Sequence, residues 1–170
     1  MKKMKRLVAV LLAGIMALAM LTACGGGITV TRDEALEKSV AEWAVEWGKS
    51  AKLELTEDAD LTAISAKCLP STVKVYNAGF AKDNDAAVDA AAELQKTFAA
   101  ATNGKKVAPV DVMVLNGTEV TKQILVQTVQ ANMSRIQTIL NTAGVKNPAK
   151  FGVTVTKQDK YTLILFMVSE

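Results

Sequence analysis

The longest apolar run of this 170-residue chain lies close to its first residue, and it determines which residues remain to form a folded core. Residues 2–6 carry four basic side chains, and the run from Leu7 to Leu21 is interrupted only by Gly14. A membrane-spanning helix needs about 20 predominantly apolar residues. A basic flank, a shorter apolar run and small residues at its end are instead typical of a secretion signal that is removed. We therefore expect the folded domain to begin after this segment.

The end of the run, Leu21-Thr22-Ala23-Cys24, resembles the lipobox of bacterial lipoprotein precursors. The resemblance implies a signal peptide over residues 1–23, cleavage before Cys24, and a lipidated cysteine with a glycine-rich tether over residues 24–30. We expect an exported protein anchored through acyl chains on Cys24, such as palmitate, to the outer face of the bacterial cell membrane, or to the outer membrane if the cell has one. A plain signal peptide or an uncleaved anchor is the alternative.

The charge of the chain changes when the signal is removed. Four of its 20 basic residues precede residue 24, and the remaining 16 are matched by 17 acids, which leaves a formal charge of −1. The basic balance of the precursor therefore belongs to the export signal, and we expect no nucleic-acid partner.

The chain contains no histidine. This removes the commonest general base and the commonest metal ligand. Ser-His-Asp and Cys-His catalysis and zinc sites with histidine ligands are therefore excluded. We expect no cofactor, no metal site and no catalytic residues.

Helix-like and strand-like patterns alternate along the rest of the chain. Thr31 and Glu34 have the spacing of a capping box, and apolar residues then follow one helical face as far as Trp47. A second helix is expected to open near Asp58 and to end before Pro70, because a proline disfavours helical geometry at the residue before it. Helices are predicted at residues 31–48, 56–69, 83–102 and 119–141, and strands at residues 73–76, 110–115, 151–156 and 161–168.

The longest of these helices has one continuous apolar face, formed by Val129, Met133, Ile136 and Leu140, which we expect to point inward. The last strand is apolar on both faces, as is typical of a central strand. The pattern predicts a single α+β domain over residues 31–170. We expect a layered α/β/α arrangement with a small, mostly antiparallel sheet and about four helices.

Two segments resemble the CAP superfamily, the SCP-like group of cysteine-rich secretory and pathogenesis-related proteins. Trp47 to Ala66 is similar to its bacterial pattern of helix, Leu-rich loop, acidic cap and second helix. Ile139 to Phe166 resembles its closing helix and strands. The resemblance implies a CAP-like fold. Family members often carry a cleft with two histidines and two acids; this chain lacks the histidines and the Gly-Glu-Asn motif, so no site residue is carried over.

Cys68 is the second cysteine of the chain, and it has no partner if Cys24 is lipidated. Its place on an apolar stripe with Leu61 and Ile64 predicts a core residue, because a buried free cysteine behaves as a small hydrophobe. A reactive thiol or an intermolecular bridge is the alternative.

The acidic residues allow two other kinds of site to be considered, a pair of glycosidase carboxylates and a calcium-binding loop. A glycosidase needs two carboxylates about 5–9.5 Å apart, but the glutamates of the first helix have the spacing of a solvated face. A calcium loop would need Gly and Glu where Val88 and Leu94 stand, so helix capping explains the aspartates better. These acids are Glu34, Glu37, Glu42 and Glu46 in the first set, and Asp83, Asp85 and Asp89 in the second.

Two aromatic pairs are candidates for ligand contacts. Trp43 and Trp47 lie one helical turn apart and are placed to stack on sugar rings, although this spacing is more typical of a core. Tyr76 and Phe80 flank an Asn-Ala-Gly turn and are placed to line a groove.

The sequence as a whole predicts a membrane-anchored, non-catalytic binding domain of CAP-like type. Its partners would be membrane lipid, through acylated Cys24, and an unidentified envelope ligand or protein. A carboxylate-based envelope hydrolase is the first alternative, and a structural or assembly partner at the envelope is the second.

Replacing Cys24 with Ala tests the anchor. We expect the variant to lose incorporation of radiolabelled fatty acid and to be released or mislocalised, because no other residue of the lipobox carries a sulfur for the lipid. Persistent labelling of Cys24→Ala would refute the assignment.

Overall fold

The computed structural model describes residues 30–170. The predicted signal peptide, Cys24 and the predicted tether up to residue 29 lie outside the described residues. In the described part, no helix is both long and apolar enough to cross a membrane. The helices are α1 (Glu34–Ser50), α2 (Ala59–Ala81), α3 (Asn84–Thr102), α4 (Lys122–Ala131) and α5 (Met133–Ala143), and the strands are β1 (Thr56–Glu57), β2 (Ala108–Leu115), β3 (Lys150–Lys157) and β4 (Tyr161–Ser169).

The four strands form one sheet in the order β1-β3-β4-β2. β4 pairs antiparallel with both β3 and β2, whereas the short β1 runs parallel to β3. The expected central position of the last strand is confirmed. Seven consecutive residues of β4, Tyr161 to Met167, are buried, since helices cover both faces of the sheet.

Each face of the sheet carries its own core. Val153 and Ile164 belong to the cluster shared with α1, α4 and α5, which we call the first face. Leu163 and Leu165 point to the opposite side, the second face, where they pack against α2 and α3. The predicted α+β class and the three layers are confirmed, and so is the mostly antiparallel sheet. The described residues form five helices rather than four.

The predicted strand over residues 73–76 is wrong, because these residues continue α2 through Pro70. The missing N–H of Pro70 costs one hydrogen bond of the helix. Burial outweighs that cost: Leu69 and Val73, on either side of the proline, are almost completely buried in the second-face core. The two valines of residues 73–76 had mimicked the alternation of a strand.

Two helix boundaries also differ from the sequence prediction. The N-cap of α1 is Asp33, not Thr31, and its side chain accepts a hydrogen bond from the backbone N–H of Leu36 at 3.0 Å. The long helix predicted over residues 119–141 is divided at Asn132 into α4 and α5. The side chain of Asn132 bonds back to the carbonyl of Thr128 at 2.9 Å, an interaction typical of helix ends.

Small side chains allow α2 to lie directly on the second face. A Cβ atom on Gly152 would come within 2.0 Å of the backbone nitrogen of Thr62. One turn further along α2, the buried hydroxyl of Ser65 donates to the carbonyl of Leu165 at 2.7 Å and lies 2.8 Å from the hydroxyl of Thr154. Gly152 therefore sets the distance between this helix and the sheet.

Glu37 is the exception to the expected solvated face of α1, because only 3% of it is exposed. Its carboxylate accepts two hydrogen bonds from the guanidinium of Arg32, at 2.9 and 2.5 Å, and one from the backbone N–H of Val155 at 2.9 Å. Arg32 also forms a bridge with Thr156. The expectation of a solvated Glu37 is wrong, since the carboxylate replaces a missing strand partner at the edge of β3.

Replacing Gly152 with Ala tests the close approach of α2. We expect a loss of about 3 kcal/mol in the free energy of unfolding, because the new methyl group overlaps the α2 backbone. Urea unfolding monitored by circular dichroism measures it.

Gly79→Ala is the matched control, since no atom lies within 4 Å of the position of its Cβ. It should gain about 0.5 kcal/mol from helix propensity. Equal stability of the two variants would contradict the role assigned to Gly152.

Candidate functional site

An apolar cavity lies on the first face, between the sheet and helices α1, α4 and α5. Its volume is about 290 Å³ and it is partly open to solvent. Its floor is the half of the sheet where β3 and β2 begin and β4 ends, with Val110, Val112, Phe151 and Phe166 on its surface. This is close to the lower size limit of small-molecule sites in proteins, about 300 Å³.

The walls of the cavity come from helices and from the loops that follow them. Ala44 and Trp47 belong to α1, and Leu53 and Leu55 to the loop after it. The opposite wall is the apolar face formed by Val129, Met133, Ile136 and Leu140, which the sequence placed on one side of a long helix.

Polar side chains are rare around this cavity. Gln137 and Lys146 are the two residues with polar side-chain groups, apart from the indole of Trp47, that line it. Both are exposed, as expected for residues at the mouth. None of the lining residues is an aspartate or a glutamate. The site is thus suited to hold an apolar group and supplies no carboxylate to react with it.

Helix α5 is the least buried of the helices that line the cavity. None of its residues is buried, although Ile136 and Ile139 pack against the first-face core. Met133, at its first position, is 39% exposed. A helix with an apolar face over a cavity and few buried contacts belongs to the part of a fold that opens most easily.

A polar contact at the edge of the sheet holds α5 in place. The guanidinium of Arg135 donates to the carboxylate of Asp111 on β2 at 2.7 Å and to its backbone carbonyl at 3.3 Å. The same carboxylate accepts a hydrogen bond from the hydroxyl of Tyr76 on α2. Burial, with the nearby Asp111 charge as the second cause, raises the pKa of Tyr76 well above its usual value. Tyr76 therefore stays protonated and donating, and Asp111 links the helices of both layers across β2.

The core interpretation of Cys68 is confirmed. Its side chain is completely buried in the second-face core, and burial raises the pKa of its thiol to about 11. The thiolate is the reactive form, so little of this thiol is reactive near neutral pH.

The aromatic candidates separate into two groups. Trp43 and Trp47 both pack against the first-face core, but of the two only Trp47 lines the cavity. Tyr76 and Phe80 pack around Tyr161, with the Phe80 ring stacked on it at a centroid distance of 5.3 Å. These two residues support the second-face core and lie on the other side of the sheet from the cavity.

The aspartates of the third helix act as the sequence indicated. Asp83 caps α3 by accepting a hydrogen bond from the N–H of Ala86 at 3.0 Å, and Asp85 and Asp89 are exposed. Within residues 30–170, no three His, Cys, Asp or Glu side chains come close enough to hold a metal ion.

Sequence reasoning missed most of the cavity. Leu53 and Leu55 follow α1, and Lys146 and Pro148 follow α5, in loops without a regular hydrophobic period. The signals in the sequence were the apolar face of residues 129–140 and Trp47, at the end of the apolar face of α1. The loops acquire their role from the position of the two helices over the sheet.

Comparison with known proteins gives no relative: no family model, no curated protein and no solved structure matches this chain. The resemblance to the CAP superfamily stays a prediction.

Replacing Arg135 with Ala tests the contact that holds α5. Because an exposed ion pair is worth about 0.2–1 kcal/mol, we expect amide hydrogen exchange in α5 to become about two- to fivefold faster. Hydrogen exchange with mass spectrometry resolves the helix from its neighbours.

The control is Lys122→Ala, which removes the exposed ion pair between α4 and Glu46 of α1 and should leave α5 unchanged. If Arg135→Ala exchanges like the wild type, Asp111 does not secure the helix.

Proposed function

We propose that this chain is an exported, lipid-anchored binding protein whose apolar cavity takes up the apolar part of a small ligand. The observation that carries the proposal is the cavity of about 290 Å³ between the sheet, α1 and α5. An apolar group that enters this cavity would gain dispersion contacts with the side chains that line it. The lipid anchor belongs to the proposal as well, and its support is the resemblance of residues 21–24 to a lipobox.

The lining of the cavity favours binding over the hydrolase alternative. A glycosidase would need two carboxylates facing a polar cleft, and no acid lines this one. The buried carboxylate of Glu37 is already bonded to Arg32 and to the N–H of Val155. Its hydrogen bonds hold the fold together and leave it no role in the cavity.

The position of the N-terminal segment suits an anchored binding domain. Thr31 accepts a hydrogen bond through its carbonyl from Thr156, near the end of β3, whereas Phe151, near the start of β3, lies at the cavity. At about 3.3 Å per residue, these positions are roughly 17 Å apart along the strand. The chain therefore enters the domain at one end of the sheet, and the cavity lies at the other.

The assembly alternative has less support. An assembly surface would be expected to present a continuous exposed apolar patch. In the described residues, the exposed large hydrophobic side chains are Val88 and Met133. They belong to α3 and α5, on opposite layers, and so do not form one patch.

The two tryptophans of the chain provide a matched test. Bromobenzene is a small apolar molecule whose bromine quenches indole fluorescence on contact. We expect saturable quenching in the wild type and in Trp43→Phe, and its loss in Trp47→Phe, because Trp47 lines the cavity and Trp43 does not.

A cavity-filling variant is the second arm of this test. Val112→Phe places a larger side chain on the cavity floor and should abolish the saturable quenching while the protein stays folded by circular dichroism. Quenching that never saturates, or that affects both tryptophans equally, would contradict a site at the cavity.

A further inference from the structure

We propose that the ligand is a single-chain amphiphile with an anionic head group, its chain in the cavity and its head at Lys146. This inference rests on the proposed function and specifies the ligand class for the same site.

The volume limits the apolar part. An engineered protein cavity of about 150 Å³ holds one benzene molecule, so 290 Å³ has room for roughly twelve carbon atoms. The second acyl chain of a diacyl lipid would not fit, whereas a single chain of medium length would. The walls themselves are aliphatic and aromatic and select no functional group along that chain.

The mouth supplies the specificity for the head. Lys146 lines the cavity, is exposed, and forms no ion pair with any carboxylate of the described residues. Its ammonium is therefore available to an anion. The side-chain amide of Gln137, at the same mouth, donates one N–H to Asn141 at 3.3 Å and has a second N–H to donate. An apolar cavity with the ammonium of Lys146 at its mouth matches a carboxylate or a phosphate monoester on an alkyl chain.

Glu170 is the acidic group close to this mouth. Its carboxylate accepts a hydrogen bond from the backbone N–H of Lys146 at 2.8 Å, not from the ammonium. This hydrogen bond is the main cause that lowers the pKa of Glu170, and the charges of Lys106 and Lys146 contribute. Glu170 is thus ionised at neutral pH, and its carboxylate competes with a bound anion for the positive charge of Lys146.

The test compares three eight-carbon ligands that differ in the head group: 8-bromooctanoate, 8-bromooctan-1-ol and 8-bromooctyl-trimethylammonium. The full-length anchored protein, in phosphatidylcholine nanodiscs and carrying Trp43→Phe, reports binding through the quenching of Trp47 at pH 7.5. We expect the carboxylate to bind about tenfold more tightly than the alcohol and the cation to bind most weakly. An alkyl phosphate of the same length, used as a competitor, compares the two anionic heads.

Three substitutions assign the preference to the mouth. Lys146→Gln should lower the affinity for the carboxylate about tenfold, to about that for the alcohol. Lys96→Gln, on α3 and exposed on the other layer, is the matched control and should change neither. Glu170→Gln should strengthen binding of the carboxylate, because it removes the competing negative charge.

The outcomes separate this inference from the proposed function. If the protein with Lys146 unchanged binds the alcohol and the carboxylate equally well, the inference about the head group is overturned and the apolar binding site stands. If none of the three ligands quenches Trp47 saturably, both are overturned. A carboxylate preference that survives Lys146→Gln would also overturn the assignment of the head group.

Discussion

The buried carboxylate of Glu37 is the contact on which the arrangement around β3 depends. Isolated, this charge would be strongly disfavoured in the interior, but Arg32 and the N–H of Val155 satisfy it. These bonds join the N-terminal segment, α1 and β3. Next to them, burial alone would raise the pKa of Asp33, but hydrogen bonds from Lys157 and from the N–H of Leu36 outweigh it and lower that pKa. Replacing Arg32 alone would leave the carboxylate of Glu37 buried without its cation, and removing one member of a buried ion pair strongly destabilises a fold.

The opposite edge of the sheet is organised in the same way, although it is more exposed. Asp111 on β2 receives hydrogen bonds from Tyr76 of one helical layer and Arg135 of the other. One polar group thus positions α1 over β3, and another positions α5 over β2. The space between the two helices is the cavity.

The sequence predicted the parts of the fold that depend on local pattern. Three strands are found within two residues of their predicted ends, because the burial of alternate or consecutive residues is visible in the chain. The continuation of α2 through Pro70 was not predictable, since the burial that stabilises it comes from β4, distant in sequence. The burial of Glu37 depends on Val155, 118 residues away. The cavity could be predicted only in part, since the apolar faces of α1, α4 and α5 have a regular period whereas the loops after α1 and α5 that also line it do not.

In the proposed function, ligand binding would be linked to the stability of the fold through the cavity. Residues around an apolar cavity have fewer contacts on the side that faces it. Helix α5 has no buried residue, although Ile136 and Ile139 pack against the core, and Arg135 joins it to Asp111. A ligand that fills the space would restore those contacts and stabilise the folded state in proportion to the logarithm of its concentration over its Kd. The gain would be greatest at α5, the least buried wall, and smallest at α1, which Glu37 already secures. Ligand occupancy should therefore order one side of the domain while the side that leads to the N-terminal segment stays unchanged.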